Sequence, residues 1–189
     1  LFAGREILSR QERRLKGWWG YGIGSATMLL AGMVVTVLAL NGPLRPEPWY
    51  DPRYAIPLFG MILGNAMTGI SLGLDGLTSL VGRERAAIEA QLTLGATRWR
   101  ALRPIAQRAL RTGFTPMLNS MAAAGVVFLP GMMTGQILSG VAPEQAVKYQ
   151  ILVLFLIAGA SGLGVLTAVL ASIWRLTDDR HRLRLDRLA

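Results

Sequence analysis

The chain has no cysteine and a single histidine. Without thiols there are no disulfides, thiolate metal sites or thiol chemistry, and one histidine removes most zinc constellations. Charge is also scarce. Only 16% of the 189 residues are charged, against about 25% in an ordinary soluble domain. Acidic residues number 11 against 20 lysines and arginines, a formal net charge of +9. No glycine-rich phosphate loop, paired carboxylates or nucleophile with a base occurs. Ser71, Asp75 and Ser79 share one segment, but no base accompanies them. We therefore name no catalytic residue and expect no enzyme.

What is abundant is apolar sequence, with 52% hydrophobic residues and a mean hydropathy of +0.40. The few charges are clustered, which is the pattern of a polytopic membrane protein. Gly20–Leu40 carries no charge over 21 residues, and at about 1.5 Å per residue it spans about 30 Å of hydrocarbon. Trp18, Trp19 and Tyr21 suit its headgroup boundary. Asn41–Arg53 holds Pro43, Pro46, Pro48 and Pro52, so it reads as a loop and not a helix interior.

Tyr54–Val81 is a second span, with Gly60/Gly64 and Gly69/Gly73 as two GxxxG pairs that allow close helix approach. Asp75 lies near its basic end, where it either reaches the interface or faces protein or water, and the deeper Asn65 either bonds a neighbouring helix or lines a pathway. Gly113–Gly140 is a third apolar run, interrupted by Pro130 and Gly131. A proline there frees backbone groups that neighbouring helices or a water-filled cavity must satisfy. Val141–Lys148 reads as a short connector, Tyr149–Trp174 as the last span and Arg175–Ala189 as a solvated tail. The fold class is all-α polytopic membrane protein, with four complete spans in a single transmembrane domain over residues 1–189.

The segments 1–19, 82–112 and 175–189 hold 17 of the 20 Lys and Arg residues. With four spans, all three fall on one side, which the positive-inside rule makes the cytoplasm. The C-terminus is then cytoplasmic. This alternation excludes nucleic acid as the partner of the basic charge, because a duplex could not contact arginines separated by spans.

Between the second and third runs, Arg83–Thr112 carries seven arginines against two glutamates. Apolar residues recur at Ile88, Leu92, Trp99, Leu102, Ile105 and Leu110, close to helical spacing. A first helix ends at Gly95 and Thr97 caps a second, so 82–112 is a cytoplasmic helical hairpin. It either docks on a protein partner or lies on anionic lipid.

Within the hairpin, Glu89-Ala90-Gln91, three residues, Gly95, nine residues and Ile105 resemble the loop by which permeases of ATP-binding-cassette transporters dock on their ATPase. Gln91 replaces an alanine, Gln107 and Arg108 stand where a leucine and proline end the motif, and Pro104 falls one residue early. GNAMTG at Gly64–Gly69, LTLGAT at Leu92–Thr97, LPGMMTGQILSG at Leu129–Gly140 and AVKYQI at Ala146–Ile151 resemble the bacterial iron-export permease family of ATP-binding-cassette transporters (FetB-type, once called uncharacterised protein family 14). Plant aluminium-tolerance half-transporters are related to it. Family members begin with further membrane helices, so the resemblance makes this chain N-terminally truncated. Leu1–Ile7 would then be the end of an earlier helix.

The resemblance implies a bacterial inner-membrane permease, present in two copies. A separate ATPase chain would hold the ATP and Mg, and this chain would need no cofactor of its own. It implies docking through Glu89, Ala90, Leu92, Gly95, Ala96, Thr97 and Trp99. It implies export of iron or another metal along a path for which Asn65, Met67, Asn119, Pro130, Met132, Met133 and Gln136 are candidates. The metal ligands are left unassigned. Hard iron prefers carboxylate or imidazole, whereas Met61, Met67, Met117, Met121, Met132 and Met133 offer thioethers suited to soft metals or simply to packing. Two other readings stay open: a membrane scaffold that transports nothing, and an exporter of an organic or sugar-nucleotide substrate.

Overall fold

The computed structural model of the chain describes residues 18–44, 52–127, 129–178, 182–184 and 188. The basic arm before residue 18, the supposed helix end at Leu1–Ile7 and most of the proline-rich loop lie outside them. Six α-helices run through the described residues: α1 Trp18–Ala39, α2 Pro52–Arg83, α3 Arg85–Thr93, α4 Arg98–Ala123, α5 Gly131–Leu138 and α6 Pro143–Leu176. A π-helical turn, Leu40–Leu44, prolongs α1, and the Asn41 side-chain Nδ2 donates to the Val37 carbonyl at 2.9 Å there.

α1 shows why this chain belongs in lipid. Met28, Ala31, Gly32, Val35, Thr36 and Ala39 are buried, while Leu29, Leu30, Met33, Val34, Val37 and Leu38 on the other side are exposed. Both faces are apolar. A soluble helix presents a polar outer face, and one that is apolar all round is stable only where its surroundings are apolar as well. α6 repeats the pattern, with Phe155, Leu163, Leu166, Leu170 and Trp174 exposed.

Three helices, not four, are long and apolar enough to cross a membrane among the described residues: Trp19–Gly42, Ala55–Arg83 and Pro143–Leu176. The expected third span is divided. Its first part is the end of α4, a helix that starts back at Arg98 in the basic hairpin, so residue 113 is not a boundary. Its second part is α5, only 8 residues long. The break opens at Ala124, six residues before the proline, with Gly125 at φ 82°.

The connector Val141–Lys148 is also mostly helix, because α6 begins at Pro143. Proline is favoured at the first helical position, Glu144 complements the dipole of the first turn, and Lys148 pairs with Glu144 at 2.6 Å. Nor is the tail simply solvated. The Arg184 amide donates to the Leu176 carbonyl at 2.9 Å, and Leu183 and Leu188 pack on the main core.

α2 is central, packed against α1, α4 and α6. The main core joins Ile70, Leu74, Leu77 and Val81 of α2 to Leu102, Ile105 and Ala109 of α4 and Val165, Val169 and Ile173 of α6. A second cluster gathers Val35, Leu58, Ile62, Val153 and Ala160, with Met132 of α5 against it. The two GxxxG pairs have different fates. A Cβ on Gly69 would meet the Gly113 carbonyl oxygen at 3.0 Å, and one on Gly73 would meet Val165 Cγ1 at 3.0 Å. Gly60 and Gly64 have nothing within 4 Å. Among the described residues, only the second pair brings helices together.

Candidate functional site

The hairpin is built from α3 and the first half of α4. Ile88 is buried and Leu92 half-buried on one face of α3, over buried Ala101, Leu102 and Ile105 of α4. At its base the Arg108 guanidinium holds both Glu84 carboxylate oxygens, at 2.6 and 2.9 Å, the bidentate geometry that best fixes orientation. On α3 the Arg85 Nε donates to Glu89 at 2.8 Å.

The turn between the helices is closed by backbone chemistry. The Ala96 amide donates to the Gln91 carbonyl and the Gly95 amide to the Leu92 carbonyl, at 3.0 and 3.1 Å. This is the paired closure that requires a left-handed residue, and Gly95 supplies it at φ 85°. Thr97 then caps α4, its hydroxyl accepting from the Arg100 amide at 3.4 Å. Gly140 ends α5 in the same manner at φ 89°.

The sequence-predicted docking residues therefore divide by task. Glu89 is half-buried and paired with Arg85, Leu92 packs inward, and Gly95 and Thr97 shape the turn. Ala90 and Trp99 are exposed, and Ala96 lines a recess of about 540 Å³ together with Gln91, Leu94, Arg100 and Pro104. Sequence reasoning missed Leu94, which is 87% exposed at the tip. The available signal was a leucine directly before the glycine that closes the helix, at a position the core does not reach.

The path candidates do not form one constellation. Asn65 is exposed and donates to the Met61 carbonyl of its own helix at 2.9 Å. Asn119 is exposed on α4, and the contact of Gly69 with Gly113 puts it within about one turn of the level of Asn65. Met67 packs on the main core instead. Pro130 caps α5, Met132 lies on the second cluster, and Met133 is half-buried.

Among the described residues, Gln136 of α5 has its Oε1 buried without a hydrogen-bond partner, and so has Gln150 of α6. Buried polar atoms are nearly always paired, so these two glutamines stand out. Gln150 was not among the predicted path residues. No group of three or more His, Cys, Asp or Glu able to hold a metal ion occurs among the described residues.

Comparison with known proteins assigns the family. The profile of an uncharacterised protein family (UPF0014) matches residues 1–176. The chain belongs to this family. A UPF0014 membrane protein, slr1647, of Synechocystis is 36% identical over 178 residues, 94% of this chain and 66% of the relative. The probable iron export permease protein FetB of Escherichia coli is 35% identical over 153 residues, 81% of this chain and 58% of the relative. The UPF0014 membrane protein STAR2 of rice is 39% identical over 137 residues, covering 72% and 47%. The chain thus spans about half to two thirds of the length of these relatives. No solved structure matches.

Proposed function

We propose that this chain is a membrane-spanning permease subunit of an ATP-binding-cassette exporter in the bacterial inner membrane. It moves iron or another metal ion outward. A separate ATPase chain, carrying ATP and Mg, docks on the α3–α4 hairpin from the cytoplasm. Two copies of the permease flank the path. The end of α4 and α5 make the fourth crossing, broken between Ala124 and Pro130, and the C-terminus is cytoplasmic.

The observation that carries this reading is the hairpin tip. A turn rigidified at Gly95 and Thr97 presents exposed Leu94 and Trp99, with Arg98, Arg100 and Arg103 in the adjoining first turns of α4. An apolar anchor inside a charged rim is what a protein partner buries. The base of the same hairpin is tied to α2 through Glu84 and Arg108, so force on the tip reaches the membrane helices. The E. coli relative named an iron export permease supports the direction and cargo. A broken helix facing protein or water suits transport better than scaffolding.

The test is a reconstituted complex with the partner ATPase. Glu89→Arg or Gly95→Pro should leave the chain inserted but abolish metal-stimulated ATP hydrolysis. Normal stimulation in both variants would remove the docking role. Soluble thiol reagent on single cysteines at Pro130, Met132 and Gly135 should react in a nucleotide-dependent way. Uniform protection would favour a scaffold.

A further inference from the structure

A second recess, of about 520 Å³, opens between α2 and α4 on the flank of the hairpin base. It is lined by Asp75, Ser79 and Arg83 of α2 and by Arg108, Arg111 and Thr112 of α4, with Gly76 and Leu80. Arg108 is committed to Glu84. Arg83 and Arg111 are exposed and make no ion pair among the described residues. The position of the recess is unusual for so much positive charge. Ala109 and Thr112 pack against Gly76, and Gly113 against Gly69. Gly69 is the middle of the 29-residue stretch Ala55–Arg83, a helix long and apolar enough to cross a membrane. That stretch is about 43 Å long, against a hydrocarbon thickness of about 30 Å.

Arg111 is thus rooted at hydrocarbon depth, while Ser79 and Arg83 reach the headgroup level. Side chains tilt toward their helix N-terminus. The N-terminus of α4 is its basic end, so Arg111 is drawn upward toward Ser79 and Arg83, the usual escape of a deep arginine. Cations gathered at this level between membrane helices recognise phosphate.

We propose that this recess is a binding site for the phosphate of an anionic phospholipid of the basic leaflet. Arg83 and Arg111 take the phosphate oxygens and the Ser79 hydroxyl donates a third bond. The Thr112 hydroxyl is already turned to the Arg108 carbonyl, at 3.1 Å, and contributes no donor. Asp75 in the lining offsets one of the three arginine charges and leaves net attraction for an anion. A lipid bound here wedges against the hairpin base and holds the α2–α4 angle that the tip transmits. The lipid site rests on the membrane placement alone, and its test is independent of transport.

The full chain is purified in a neutral detergent and probed by native mass spectrometry with phosphatidylglycerol, phosphatidylcholine and inorganic phosphate in turn. One saturable phosphatidylglycerol per chain is expected, with much weaker phosphatidylcholine binding. Arg83→Gln and Arg111→Gln should each weaken phosphatidylglycerol about fivefold, and together about thirtyfold. Arg98→Gln/Arg100→Gln at the tip, removing the same charge, should leave it unchanged. Ser79→Asp, which puts a repelling charge into the rim without removing a packed side chain, should abolish binding while the circular dichroism spectrum and elution volume stay those of the parent, which separates loss of the site from misfolding. Equal binding of both lipids, or equal loss in the tip variant, overturns the site. Inorganic phosphate that displaces phosphatidylglycerol at equal concentration would overturn the lipid as its source.

Discussion

The substitution Gly113→Ala tests the packing on which every functional argument depends. Gly113 lies where α2, α4 and α6 meet. A Cβ there would come within 2.6 Å of Val165 Cγ1, 2.9 Å of the Gly69 carbonyl oxygen and 3.3 Å of the Gly73 Cα. Val165 is a side chain and can yield, but two of the three neighbours are backbone. α2 and α4 must therefore separate by about half an ångström, enough to forfeit about a quarter of the contact attraction along the seam.

Alanine gains up to about 1 kcal/mol in helix propensity over glycine, and overpacking loses about 1–3 kcal/mol. The seam runs the length of the hairpin arm, so the upper part of that range applies, and the net loss is about 2 kcal/mol. Gly64→Ala is the internal control, because nothing lies within 4 Å of it. The isolated chain should then be unchanged or gain up to about 1 kcal/mol. Refolding from dodecyl sulfate into a mild detergent, followed by circular dichroism, measures both. Adding Val165→Ala to Gly113→Ala should recover only part of the loss, since the carbonyl contact persists. If Gly113→Ala equals the parent, or if Gly64→Ala is equally harmful, the close α2–α4 approach is wrong.

Two further outcomes follow from the site. Thr97→Ala removes the cap of α4 and should destabilise the hairpin by about 0.5–2 kcal/mol; faster proteolysis after Arg98 or Arg100 would report it, and unchanged cleavage would remove the cap from the account. Gln150→Met replaces a buried amide whose oxygen has no partner with an apolar chain of similar size, so stability should rise by about 1 kcal/mol while transport by the reconstituted complex falls; a stability gain with intact transport would make Gln150 a packing residue only.

The hairpin is largely legible in the amino-acid sequence. Gly95 and Thr97 carry local backbone rules that hold wherever the helices go, and Ile88, Leu92, Leu102 and Ile105 repeat at helical spacing. The division of the third run is not legible in detail. Pro130 marks a break, but the chain already leaves the helix at Ala124, where the stop is Gly125 at φ 82°, one glycine among many in a glycine-rich apolar run. The path candidates are polar or soft residues inside apolar sequence, a property that does not say which neighbour a side chain meets. Only the packed structure sets Met67 against the main core and buries the Gln150 oxygen.

By itself the sequence determined what depends on neighbours along the chain: apolar length, the clustering of basic charge, the caps and the family. These are set by solvent and backbone within a turn or two of each residue. Tertiary structure decided what depends on residues far apart. It set the close approach of Gly69 to Gly113, the idle face of Gly60 and Gly64, and the pairing of Glu84 with Arg108. It also gathered Arg83 and Arg111 around one recess. Glycine spacing and arginine count are the same whether or not a partner helix is present, and only the packed register says which of them meet.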